Sequence, residues 1–177
     1  MVTAKAKRAK KPLPGTSPRP AQSGDEETQL ASFLAKYTPE IAAQAKGIRQ
    51  EMRKLYPMAY ELVYDNYNAL AIGFGPSERS SEAIFSIALF PRWVSLFFLQ
   101  AKGLPDPDKL LKGSGTVARH IVVSSVAMLK EPAVRALMQN AEALAKVPFD
   151  AGNAHRLIIK SISKKQKPRR PSTKLAH

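Results

Sequence analysis

Residues 60–74 read Tyr60-Glu61-Leu62-Val63-Tyr64-Asp65-Asn66-Tyr67-Asn68-Ala69-Leu70-Ala71-Ile72-Gly73-Phe74. Tyr60, Leu62 and Tyr64 alternate with Glu61, Val63 and Asp65, and beyond Asn66-Tyr67-Asn68 the apolar Leu70, Ile72 and Phe74 alternate with small residues. A period of two on either side of a turn predicts a β-hairpin. The residues just before it repeat differently. Ile41, Ala45, Ile48, Met52 and Leu55 form a stripe at helical spacing, opened by Thr38-Pro39-Glu40 and closed by Pro57. Thr is a good N-cap, Pro suits the first turn and Glu opposes the helix dipole. The chain therefore passes from helix to sheet at Pro57.

Working outward, Ser23-Gly24-Asp25-Glu26 has capping-box spacing, and Leu30, Phe33, Leu34 and Tyr37 predict a first helix over about 25–36. Gly75-Pro76-Ser77 to Ser81 reads as a polar loop. Residues 82–90 and 93–100 predict a second hairpin across Pro91-Arg92. Trp93 to Leu99 is apolar on both faces, which places Trp93, Phe97 and Phe98 in the core, or makes this strand a dimer interface if it lies at a sheet edge. Pro105-Asp106-Pro107-Asp108 opens a short helical turn ended by Gly113, and 118–123 is a fifth strand. Val134, Leu137, Met138, Ala141, Leu144 and Ala145 keep helical spacing from Pro132 to Pro148. The sum is one α+β domain over 25–150, an antiparallel sheet of about five strands packed on helices in the order α-α-β-β-β-β-β-α. Residues 151–163 read as an extra strand or an extended arm.

The 28 bases and 14 acids give a formal charge of +14, but its placement is uneven. Lys5, Lys7, Arg8, Lys10, Lys11 and Arg19 stand among the first 24 residues with no acid. Lys160, Lys164, Lys165, Lys167, Arg169, Arg170 and Lys174 do the same at the other end. Between Asp25 and Ile159 the bases and acids nearly cancel. Both ends are Pro-containing and poor in apolar residues, so 1–24 and 164–177 are expected to be disordered basic tails able to follow a polyphosphate backbone without reading sequence. Without cysteine there is no disulfide framework or thiol nucleophile. No apolar run is long enough for a membrane span, and no signal is read at the N-terminal end, which makes the cytoplasm the expected setting.

Several weak motifs in order carry a resemblance: Ile48-Arg49 through Pro57, Tyr60 to Tyr64, the Phe85-to-Phe98 hairpin, and Leu111-Lys112-Gly113-Ser114-Gly115 leading to Arg119-His120-Ile121. Over roughly residues 38–146 the chain resembles the YdhG-like family, a bacterial domain of unknown function. The resemblance implies a compact α+β fold, and in some members frataxin-like iron handling. Iron in that role prefers oxygen ligands. Here the only dense acidic run, Asp25-Glu26-Glu27, is better explained as helix N-terminal charges.

Glu61, Tyr64, Asp65 and His120 are the candidate ligand pocket. Hydroxyl, carboxylates and imidazole could orient a polar ligand or a metal against aromatic walls. The competing reading makes Tyr60 and Tyr64 half-buried strand residues and Asn66 and Asn68 turn residues. His120 would need an orienting carboxylate to act as a base, with Glu61 or Asp65 as candidates. Lys112-Gly113-Ser114-Gly115 could be a small anion nest or merely a flexible connection. No catalytic motif is present, and no catalytic residue or cofactor is assigned. The expectation is a non-enzymatic binding module whose polyanion contacts come from Lys5, Lys7, Arg8, Lys10, Lys11, Lys164, Lys165, Lys167, Arg169 and Arg170. The alternative is a small-ligand or iron-handling protein using the pocket.

Overall fold

The seam at Pro57 separates two helices from the sheet they cover. The computed structural model describes residues 23–173, so the tail expected before them, with Lys5 to Lys11, lies outside the described residues. Helix α1 spans Ser23–Leu34 and α2 spans Pro39–Leu55. The Oγ1 of Thr38 accepts a hydrogen bond from the Ile41 amide, as its capping role requires. Strands β1 (Tyr60–Asp65), β2 (Leu70–Gly75), β3 (Phe85–Leu89), β4 (Val94–Phe98) and β5 (Arg119–Val123) follow, then α3 (Pro132–Ala143) and β6 (Arg156–Ile162).

Over the described residues the fold is α+β, with three α-helices and a sheet ordered β5-β4-β3-β2-β1-β6. It departs from the expected sheet in one respect. The five strands from β1 to β5 are antiparallel neighbours, but β6 adds to the outer edge of β1 in parallel, making a mixed sheet of six. No hairpin turn precedes a parallel strand, so nothing local announces its partner.

Cross-strand pairing sorts the side chains by face. Glu61, Val63 and Asp65 of β1 share a face with Phe74, Ile72 and Leu70 of β2, then Phe85, Ile87 and Leu89 of β3, and Phe98, Leu96 and Val94 of β4. All are buried against the helices. Tyr37, at the end of the α1–α2 connection, donates its hydroxyl hydrogen to Leu89 O at 2.9 Å and accepts from the Leu70 amide at 2.9 Å, which ties that connection to β2 and β3. On β2 and β3 the opposite face carries smaller residues, among them Ala71, Gly73, Ser86 and Ala88. There Gly75 permits a close approach: a Cβ on it would come within 3.0 Å of Ala83 Cα.

Three local readings change. The 105–111 segment forms no helix; the Asp106 carboxylate instead accepts the Leu110 and Leu111 amides at 2.8 and 2.9 Å, replacing the carbonyls a helical turn would use. Helix α3 ends at Ala143, before Pro148, because the chain must cross toward β6, and the Lys146 amide there donates to Gln100 Oε1. Strand β4 is interior, so it offers no free edge for a dimer. Of the aromatics in the run Trp93 to Leu99, Phe98 is fully buried, Phe97 is half-buried and Trp93 is 44% exposed. Trp93 falls in the β3–β4 turn, where the Phe90 amide donates to Trp93 O, and this lifts the indole out of the core.

Candidate functional site

The four residues of the expected pocket do not meet. Glu61 and Asp65 point toward the helices, whereas Tyr64 points to the other face and contacts Ser80 Oγ through its hydroxyl. His120 lies on β5, four strands from β1, which at about 4.8 Å per strand is roughly 19 Å. Its ring stacks on Phe97 at 4.9 Å, and burial together with the nearby Lys112 and Arg119 charges holds its pKa below the ordinary value. Among the described residues, no carboxylate is ion-paired to His120. The Lys112–Gly113 turn, with Gly113 at φ +100°, serves instead to bring Lys112 back into a bridge with His120.

The two carboxylates of β1 are fully buried, and each is matched by cations. Glu61 accepts from Arg49 Nε at 2.5 Å and faces Arg53 Nε at 3.3 Å and His155 Nε2 at 2.7 Å. Arg49 also donates to both Glu27 oxygens, at 2.9 and 2.7 Å. That hydrogen bond is the main reason the Glu27 carboxyl lies below its usual range. His155 stands just before β6 and reaches Glu61 only because Tyr60 pairs with Arg156. No spacing in the sequence signals that contact. Buried carboxylates already satisfied by Arg and Lys have little capacity left for a cation. Among the described residues, no group of three or more His, Cys, Asp or Glu side chains is gathered so as to hold a metal ion.

Asp65 leads to a larger correction. The chain after β6 was expected to be disordered from residue 164, yet it packs across the β1–β2 turn. The Ser163 amide donates to Asp65 O and the Lys167 amide to Tyr67 O, both at 2.9 Å. Arg169 is only 5% exposed, and its Nη2 donates to Asp65 Oδ1 at 2.9 Å and to Asn66 O, with the guanidinium over the Tyr37 ring. Lys36 Nζ completes the site at 2.6 Å from Asp65 Oδ2, and Arg170 donates to Ala35 O and Lys36 O at the end of α1. Composition foretells disorder because apolar burial is scarce there, but charge-assisted hydrogen bonds to a buried carboxylate supply the missing order. Arg169 is therefore a structural anchor, while Lys164, Lys165, Lys167 and Arg170 remain exposed.

This docked segment forms one wall of an open groove of about 540 Å³, whose other walls are the β1–β2 and β3–β4 turns. Asn68, Phe90, Arg92, Trp93, Lys167 and Arg170 line it, with no acidic residue among the lining side chains. Phe90 and Trp93 stack at 4.9 Å and 22°, and Lys167 Nζ lies 5.5 Å over the Tyr67 ring. Arg92 has no ion-pair partner among the described residues. A second recess of about 220 Å³ between α1 and α2 is also basic, but its Arg49 is already committed to Glu27 and Glu61.

No family model matches the chain, and no curated protein or solved structure matches it significantly.

Proposed function

We propose that the chain is a YdhG-like domain acting as a non-enzymatic binding module for polyanions, nucleic acid foremost, in a bacterial cytoplasmic setting. The groove at the hairpin-turn end of the sheet carries this reading: Arg92, Lys167 and Arg170 converge on it without a neighbouring carboxylate in its lining. Phosphate oxygens are the groups that three such cations, held at one concavity, neutralise best. Exposed Lys164 and Lys165 extend the basic track along the C-terminal segment. Asp65 does not weaken the positive field, because its charge is buried and matched by Lys36 and Arg169.

Full-length protein titrated with a fluorescent nucleic acid at rising salt tests the proposal. Affinity should fall steeply and linearly with the logarithm of salt concentration. Absence of binding at low salt, or binding insensitive to salt, would rule it out. Deleting the C-terminal segment is the wrong control, because it also removes the Arg169 anchor.

A further inference from the structure

Resting on that polyanion reading, we infer that the groove takes single-stranded nucleic acid, with one base stacked on Trp93 and the flanking phosphates on Arg92 and Lys167. Three observations point the same way. Trp93 is held flat against Phe90, so the platform is rigid, yet 44% of the residue is open to solvent. Three of the residues that line the groove with it, Arg92, Lys167 and Arg170, are cations, which suit the backbone on either side of a stacked base. Asn68, exposed on the adjacent turn, adds amide donors and an acceptor within the same lining. Heparin or a polyphosphate would satisfy the cations but leave the indole idle. A base paired inside a duplex cannot present its face, so stacking of this kind selects unpaired strands.

Trp93 is the sole tryptophan of the chain, so its fluorescence reports the site directly. Full-length protein is titrated with a twelve-residue oligothymidine, with a duplex of equal length and with heparin. The expected result is quenching by the single strand alone and tighter binding to it than to the duplex. By anisotropy of a labelled oligothymidine, Trp93→Leu should weaken binding about 5- to 150-fold, the loss of one stacked base, while Trp93→Phe retains most of it. Melting temperatures near wild type would show that both variants fold; should Trp93→Leu fail to fold, the quenching and the duplex comparison on wild-type protein decide alone. Salt-dependent binding of all three probes at equal strength, without quenching, overturns the stacking inference and leaves the polyanion reading standing. No binding of any probe overturns both.

Discussion

At the residue scale the buried Asp65 decides how the C-terminal segment behaves. Burial alone would raise its pKa, but the hydrogen bonds from Lys36, Gln166 and Arg169 together outweigh that effect and hold it below the usual 3.8. Because the folded value is the lower one, the pairing stabilises the protein fully above the unfolded carboxyl range and is lost as pH falls through the folded value. Arg169→Met removes the buried partner and leaves Lys36, which is 39% exposed, as the remaining cation on Asp65. A cost of about 3 kcal/mol is expected in urea unfolding at pH 7, at the lower end for breaking a buried pair; a cost under about 1 kcal/mol would show that the segment is merely laid on the surface. His120 gives the opposite arrangement, a cation disfavoured by burial and by Lys112 and Arg119. Its folded pKa lies below the unfolded 6.5, so stability should rise with pH through the window just under 6.5 and be complete above it. His120→Phe keeps the stack on Phe97 and should flatten that part of the stability–pH curve, which an unchanged slope would contradict.

At the element scale, packing distance matters more than propensity. Gly47 sits inside α2, where Ala would ordinarily be better by about 1 kcal/mol. Here a Cβ would stand 2.6 Å from Val126 Cγ2 in the short helical turn Val126–Lys130. Gly47→Ala should therefore destabilise by about 1–3 kcal/mol, and adding Val126→Ala should recover part of the loss. Stabilisation by Gly47→Ala alone would mean the turn yields freely.

The same scale shows what was legible. Helices α1 and α2 and both hairpins were readable because period and turn chemistry are local properties, carried by residues such as Thr38, Pro57 and Asn66. The β1–β6 pairing was not, since its partners lie more than ninety residues apart and share no local pattern. The candidate site was half visible. Lys167 and Arg170, which line the groove, stand out in the sequence by their charge, whereas Trp93 reads as core because an apolar run shows no difference between a turn aromatic and a strand aromatic. Arg169 looked like its basic neighbours and differs only in facing a buried carboxylate.

For the whole molecule, the formal charge of +14 has to be divided by availability. Several strong cations, Arg49 and Arg169 among them, are spent inside the fold on Glu27, Glu61 and Asp65. Where two hairpin turns and the C-terminal segment meet, Arg92, Lys167 and Arg170 line one groove with no acidic residue among its lining side chains. On the proposed function, anions would be bound by groups that the protein's own stability does not need. Arg92 and Lys167 are the clearest examples, exposed and without an acidic partner among the described residues. The direct measurement is the salt dependence of single-strand affinity for wild type and for the Arg92→Gln/Lys167→Gln double variant. Loss of two phosphate contacts should weaken binding at low salt and reduce the slope of log affinity against log salt by about 1.4. Equal slopes and equal affinities would contradict the account, because the cations of the groove would then play no part in binding.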